Sequence, residues 1–307
     1  REANGCRPGW SVLPARQPIR IKAGLALASM LRCSPKGGPM RRAVLSAVAL
    51  VLAAPVLVQA EQASGKKRRP LPHEFGRVVL DNESTRAGVP PVVFDHWLHR
   101  ARFTCRLCHV DLAFAMNANG TKVKAADNAA GHYCGACHDG RRGVGSHAIF
   151  DSCQPGAARP LASGCLRCHS QGQNVKPQVE FAAFTKAFPR GRLGNGVDWE
   201  KAEETGLVKP QNYLEGVSIP RRSLAVQKDF ALSPRVQGMP EIIFSHVKHT
   251  TWNGCELCHP DIFPAVKRGA VPYSMTAIFE GKYCGVCHVS VAFPMQDCQR
   301  CHVKPVQ

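Results

Sequence analysis

Six copies of Cys-x-x-Cys-His carry the chemistry of this chain. They run from Cys105 to His109, Cys134 to His138, Cys165 to His169, Cys255 to His259, Cys284 to His288 and Cys298 to His302. The pattern is that of a c-type haem attachment site. Two thiols at this spacing bond covalently to one porphyrin, and the adjacent His becomes the proximal ligand of its iron. The covalent pairs are Cys105/Cys108, Cys134/Cys137, Cys165/Cys168, Cys255/Cys258, Cys284/Cys287 and Cys298/Cys301. The proximal histidines are His109, His138, His169, His259, His288 and His302.

Zinc is the first competing reading, because two Cys-x-x-Cys pairs supply four thiolates. Zinc does not require a His after every second Cys, and all six copies have one. A thioredoxin-like redox motif would occur once. The six motifs use 12 of the 15 cysteines, which leaves little for disulfides. Cys153 lies outside the motifs, in Asp151-Ser152-Cys153-Gln154. That run resembles Gln296-Asp297-Cys298-Gln299, as if an insertion had split an attachment motif. Cys153 reads as an incidental thiol. An unusual attachment shared with Cys168 is the weaker alternative, since Cys165 already sits at the ordinary spacing.

Subtracting the six proximal ligands leaves seven histidines: His73, His96, His99, His132, His147, His246 and His249. His96/His99 and His246/His249 are spaced three apart. On one helical turn such a pair projects from a single face and reaches two neighbouring haems.

The elements that hold these groups come in duplicate. With an offset of 150 residues, Phe94–His99 matches Phe244–His249 and Cys105–His109 matches Cys255–His259. Gly131–His138 matches Gly281–His288 at the same offset. An ungapped repeat of this length marks a duplicated structural unit. The chain therefore divides into a trihaem unit over 73–172, a connector over 173–235 and a second trihaem unit over 236–307. In the first unit Arg141–Gly164 is longer than its counterpart Val289–Asp297. In the connector, Asn195 or Asp198 is placed to cap a short helix over Lys201–Thr205, with Gly206 at its end. Phe181, Phe184, Phe188 and Trp199 are spaced to cover apolar surface, with haem edges the expected target. Pro210, Pro220 and Pro234 make much of the remainder extended.

Upstream, Met40-Arg41-Arg42 opens a basic region and Ala43–Val58 is an apolar run. Val58-Gln59-Ala60 is a small-residue cleavage site before Glu61. Residues 40–60 thus have the pattern of a secretory signal peptide. The run is too short for a membrane span, and no transmembrane span is expected in the mature chain. Residues 1–39 read as sequence upstream of the native start. A basic arm over 61–72, with Lys66-Lys67-Arg68-Arg69, then leads into the first unit. The expected location is periplasmic, or exported to the cell exterior.

From residue 61 onward there are 31 Lys and Arg against 21 Asp and Glu, about +10. Six haems with two propionates each subtract about six charges when oxidised and about twelve when reduced. The loaded protein is near neutral, so the sequence pI of 9.6 does not argue for nucleic acid. Aromatic residues make up only 7% of the chain. An ordinary core would be thin, and the porphyrins are expected to supply it. The expected fold is mainly irregular and helical with little β structure, wrapped around haems.

Phe-x-His-x-x-His followed by three Cys-x-x-Cys-His motifs resembles the trihaem c7-type cytochromes. The second unit carries the closest likeness, in Trp252–Pro260, Gly281–Gly285 and Ala292-Phe293-Pro294. Gly194–Trp199 also resembles a connector of that group. The resemblance implies periplasmic or extracellular electron transfer, mostly bis-His haems and no substrate chemistry. It assigns His96 to the Cys105 site, His99 to the Cys134 site, His246 to the Cys255 site and His249 to the Cys284 site. It also places the distal ligand of the third haem just before the second motif. His132 and His147 compete for that role in the first unit. The second unit has no His there and offers Met275, where the first has Ala125.

The leading functional expectation is an electron carrier with six covalent c-type haems. Its partners would be redox proteins or an extracellular electron acceptor. A multihaem reductase with one open iron, and a filament-forming structural cytochrome, are the alternatives.

Overall fold

The chain starts its first unit with a short antiparallel hairpin. Strands β1 (Arg77–Leu80) and β2 (Val92–Asp95) pair with Val78 opposite Phe94. A one-turn helix, α1 (Asn82–Arg86), fills the loop between them. The structure is a computed structural model. It describes residues 69–144, 147–152, 164–170, 177, 179–221, 228–264 and 267–304. The signal-peptide pattern, most of the basic arm and Cys153 lie outside the described residues.

Strand β2 runs directly into helix α2 (His96–Arg100), which carries His96 and His99. A π-helical turn, Leu107–Asp111, contains the first Cys-x-x-Cys-His ending. Helix α3 (Ala125–Ala129) follows, then a 3-10 turn over Tyr133–Ala136 at the second motif. Strands β3 (Gly143–Val144) and β4 (His147–Ala148) form a hairpin inside the longer segment of this unit.

The second unit repeats the plan. Strands β5 (Phe230–Leu232) and β6 (Glu241–Phe244) pair, and helix α6 (His246–Asn253) follows. Helix α7 (Met275–Phe279) precedes helix α8 (Gly285–His288) at the second motif. Strand β7 (His302–Lys304) adds to β6, with Ile242 opposite His302. The first unit keeps this contact as a single antiparallel bridge between Val92 and His169.

Backbone specials recur at the same offset. Tyr133 and Tyr283 both adopt positive φ, 48° and 54°, immediately before Cys134 and Cys284. Such a conformation is rare for a bulky residue and marks a constrained turn. Gly135 and Gly285 sit inside the second motifs. A Cβ there would fall 1.8 Å from the Asn128 carbonyl oxygen and 1.9 Å from that of Ile278. Only glycine permits this close approach of motif to helix.

The connector contains α4 (Phe181–Phe184) and α5 (Trp199–Glu204). Asp198 caps α5, accepting from the Lys201 N–H at 3.2 Å, so the helix begins two residues before the expected start. Asn195 takes another role. Its side-chain oxygen accepts from the Trp199 indole at 3.0 Å and from the Val197 N–H. Phe188, Val197, Ala202 and Val208 form a small buried cluster, with Phe181, Phe184 and Trp199 packed against it. Trp97 of α2 meets Phe181 edge-on at 5.0 Å. The connector aromatics thus cover one another and α2, rather than only haem edges as the sequence led us to expect.

The acidic side of α5 faces the second unit. Arg300 reaches Asp198 at 2.8 Å and Glu200 at 2.9 Å, while Lys248 pairs with Glu200 and Glu204. Residues 69–307 form one compact unit. Among the described residues no helix is long and apolar enough to cross a membrane.

Candidate haem sites

Each of the six motif histidines turns its Nδ1 to a backbone carbonyl. The partners are Phe114 for His109 at 2.8 Å and Phe263 for His259 at 2.6 Å. They are Phe150 for His138 at 2.9 Å and Phe293 for His288 at 3.3 Å. They are Pro90 for His169 and Pro240 for His302, both at 2.8 Å. A carbonyl only accepts, so each ring donates from Nδ1–H. A neutral imidazole has one N–H, and this tautomer leaves the Nε2 lone pair exposed. Histidines that bind metals are held in this way, with the second nitrogen fixed by a carbonyl or carboxylate.

Opposite three of these rings stands a second imidazole. His96 faces His109 with ring centroids 6.5 Å apart and planes 7° from parallel. His99 faces His138 at 6.4 Å and 49°, and His249 faces His288 at 6.2 Å and 53°. Two metal–imidazole bonds of about 2.0–2.1 Å, with half a ring at each end, separate opposed centroids by roughly 6 Å. The rings therefore leave room for one iron between each pair. The second ring of each helical pair reaches over the first site to the second motif.

The distal rings are fixed too. His96 donates from Nδ1 to the Gly76 carbonyl at 2.6 Å, His99 to that of Asp95 at 3.3 Å and His249 to that of Ser245 at 2.7 Å. Burial disfavours charge on all of these rings. His99 is lowered to about 4 by burial, and its neighbour His138 adds to the effect. His288 is likewise lowered to about 4, chiefly by burial and then by His249. Rings kept neutral at physiological pH are available to iron.

The remaining candidates are placed differently. His246 packs on Phe230 and Phe244, each at 5.8 Å, and no opposed pair with His259 forms among the described residues. The reason lies in the strand before it. Gly76, at φ +79°, turns its carbonyl to His96. The register puts Lys228 at the matching place opposite His246. His132 is exposed and forms no ring contact with a motif histidine among the described residues. His147 has its backbone in β4, and its side chain lies outside the described set. Met275 is the first residue of α7, with 41% of its surface exposed. His73 lies in a 3-10 turn over Pro72–Glu74. The chain just after it runs beside the second unit, where Phe75 and Pro294 flank Gly194.

The sulfurs of Cys105, Cys108, Cys137, Cys258, Cys284, Cys287 and Cys301 sit in surroundings that oppose a thiolate. Burial pushes Cys108 and Cys287 up to about 12 and Cys284 up to about 11, with neighbouring thiols adding to the rise. An uncharged thioether suits these positions better than the thiolate that zinc requires. No group of three or more His, Cys, Asp or Glu suited to a bare metal ion occurs among the described residues.

The backbone of Cys168 closes the third motif and ties it to the sheet. Its N–H donates to the Cys165 carbonyl at 3.1 Å, and its own carbonyl accepts from the Val93 N–H of β2 at 3.3 Å. It ends the 3-10 turn Cys165–Arg167 at φ −106° and ψ −49°. Cys301 ends the turn Cys298–Arg300 at the same two angles. Cys165/Cys168 is thus built like Cys298/Cys301. The other attachment considered for Cys168, shared with Cys153, falls outside the described residues.

The first motifs of the two units touch. Gly254, just before Cys255, lies against the Arg106 side chain between Cys105 and Cys108. Arg106 pairs with Asp111 at 3.2 Å, and both side chains are buried. Arg221 of the connector joins Asp111 at 3.4 Å to Glu256 at 3.0 Å.

A family model described as cytochrome c7 and related cytochrome c matches residues 92–170 and 242–303. Those spans hold most of both repeats and all six motifs. The chain is a multihaem c7-like cytochrome. Its cofactors are c-type haems, and the neutral, opposed imidazoles and uncharged sulfurs fit them. Among solved structures the cytochrome is similar to the C-terminal hexaheme fragment of GSU1996. The identity is 22% and the TM-score 0.22, over 76% of this chain and 98% of that one. The dodecaheme cytochrome c GSU1996 matches at 22% identity and a TM-score of 0.23, over 74% and 73%. Likeness at these scores carries no argument about how the haems are arranged. No curated protein matches the cytochrome.

The sequence did not disclose the carbonyl partners of the histidines. Some had a signal. Pro90 and Pro240 recur at the repeat offset of 150 outside the Cys and His positions. The partner of His138 had none, because Phe150 follows it by 12 residues while Phe293 follows His288 by five.

Proposed function

We propose that the chain is an exported hexahaem cytochrome that passes electrons between redox partners from haem to haem. The observation that carries this reading is the closed geometry of His96/His109, His99/His138 and His249/His288. At these three sites both imidazoles would hold the iron of a bound haem, leaving no open position there for a substrate. When bound, c-type haems supply one-electron chemistry, with potentials tuned by axial ligand, burial and nearby charge.

The twelve motif cysteines anchor the haems, and the six motif histidines ligate from the proximal side. His96, His99, His246 and His249 ligate the Cys105, Cys134, Cys255 and Cys284 sites from the distal side. For the third sites, His132 or His147 serves the first unit and Met275 the second. The backbone carbonyls keep the proximal rings in one tautomer and one orientation, so little rearranges when the charge changes. Residues 40–60 direct export to the periplasm or beyond. The partners are then redox proteins or an extracellular acceptor.

A reductase reading draws on one observation, the displacement of His246 from the ring of His259. An open iron at the Cys255 site would bind small ligands. Anaerobic redox titration followed by low-temperature EPR separates the two readings. The carrier reading predicts low-spin ferric signals and no carbon monoxide adduct in the reduced protein. A high-spin haem that binds carbon monoxide or nitrite would favour the reductase.

A further inference from the structure

Arg100 closes helix α2, one residue past His99, yet its contacts lie in the other half of the molecule. Its Nη1 donates to the Val291 carbonyl at 3.2 Å, across 191 positions of sequence. The Val291 N–H in turn donates to the carbonyl of Cys287 at 3.0 Å, inside the second motif of the second unit. The guanidinium stands 5.0 Å from the ring of Trp199 in the connector and 5.9 Å from that of Trp252 in α6. Trp252 is itself fixed by its indole N–H to Glu203 at 2.8 Å. One side chain therefore touches both repeats and the segment that joins them.

The charge on this group is not neutralised by a salt bridge. Arg100 forms no ion pair among the described residues, and Glu203, engaged with Trp252, acts on it only at longer range. The group stands at both sides of the junction: it closes the helix that carries His96 in the first unit, and its Val291 partner bonds the Cys287 carbonyl in the second. Arginine stays protonated under all ordinary conditions, so the charge is permanent. Half-buried between two aromatic faces, it acts with less screening than a surface lysine.

We propose that Arg100 is a positioning residue that sets the potentials at the junction of the two repeats. It raises those of the haems at Cys105/Cys108 and Cys284/Cys287 by holding one fixed positive charge between them. A cation favours the state with one more electron, so ferrous iron is stabilised at both sites together. The exchange across the junction balances by itself. One bound haem would give up an electron and the other would take it up, while Arg100 keeps its proton. Because both potentials rise together, the step between the repeats stays close to level.

This inference rests on the electron-transfer reading above, and a separate result tests it. Haem count and spin state in the parent holoprotein decide that reading. Spectroelectrochemical titration of the Arg100→Met and Arg100→Lys holoproteins decides this one. In Arg100→Met two of the six midpoints should fall. At fixed ambient potential the reduced-to-oxidised ratio of each should drop about tenfold, ~59 mV for one electron. Arg100→Lys should keep both near the parent. Six parental midpoints in Arg100→Met, with haem load intact, would overturn the proposal, as would an equal fall in all six. If Arg100→Met does not mature, Arg100→Gln, which retains a donor for the Val291 carbonyl, is read in the same way. Failure of both uncharged variants, beside a mature Arg100→Lys with parental midpoints, would make Arg100 a structural residue and overturn its role in potential.

Discussion

The two repeats hold their motif histidines alike and the first histidines of their helical pairs differently. In both, the third proximal ring leans on a proline carbonyl, Pro90 or Pro240, that precedes the strand leading to the distal helix. In both, the second proximal ring leans on a phenylalanine carbonyl and packs against its ring, at 4.4 Å for His138 and 4.2 Å for His288. The first repeat reaches this arrangement through an inserted hairpin and the second through five residues. The contact survives a large change in loop length because only the returning carbonyl matters. Opposite the first histidine of the helical pair one register position differs. Gly76 turns its carbonyl toward His96, and Lys228 stands where that glycine would be in the second repeat. Proximal support depends on backbone shared by both repeats, whereas the first distal ligand depends on one residue.

The largest effect is expected where the repeats agree most closely. Gly135→Ala and Gly285→Ala each place a Cβ on a carbonyl oxygen of the preceding helix. Displacing that helix costs about 3 kcal/mol or more. Each variant should lose the haem of its own second site, read as one fewer covalent haem. A fully loaded Gly285→Ala beside a deficient Gly135→Ala would break the equivalence.

Removing distal ligands sharpens the comparison. His99→Ala and His249→Ala should each convert one haem to high spin while keeping it covalently attached. The affected sites are Cys134/Cys137 and Cys284/Cys287, not the nearer first motifs. His96→Ala should do the same at Cys105/Cys108, and His246→Ala at Cys255/Cys258. A wholly low-spin spectrum in His249→Ala would break the pairing of the helix with the second motif.

A smaller change tests the glycine itself. Gly76→Ala at φ +79° introduces about 1–2 kcal/mol of backbone strain. It should loosen His96 and make the Cys105 site resemble the Cys255 site in EPR. Identical spectra for parent and variant would remove Gly76 from the account.

The smallest effect concerns the clamp between connector and second repeat. Burial alone would raise the Asp198 carboxyl, but Arg300 and the Lys201 N–H outweigh it and hold the group below its usual value. A depressed carboxylate stabilises the fold above its unfolded value of 3.8 and loses that contribution as pH falls through the folded one. Asp198→Ala should cost about 1 kcal/mol at neutral pH. Thermal melts should show the gap between parent and variant closing below about pH 4. A gap that persists to pH 2 would contradict this role.

Covalent chemistry made the class legible in the sequence. Six fixed spacings pointed to covalent haems and an offset of 150 residues to duplication, while the c7-like kind of molecule that the family match identifies came from resemblance. The paired histidines also stood out, because helical spacing alone projects them from one face. Carbonyl partners were hidden, since a backbone oxygen carries no residue identity. Cys168 shows both sides of this. Its sulfur was legible from spacing, while the bond from Val93 to its carbonyl was not. Arg100 was hidden for another reason. It sits beside His99 in sequence, while every contact that gives it meaning lies about 100 or more positions away. The connector aromatics were read correctly as apolar cover, but pattern alone does not say what they cover.

The central claim is that each repeat is a complete trihaem unit. The mass of the matured protein tests it most directly. Intact-protein mass spectrometry should find the polypeptide from about Glu61 together with six haem masses, three of them on peptides from each repeat after digestion. Five haems or fewer in fully matured protein would contradict the account, and an uneven division would show which repeat departs from it.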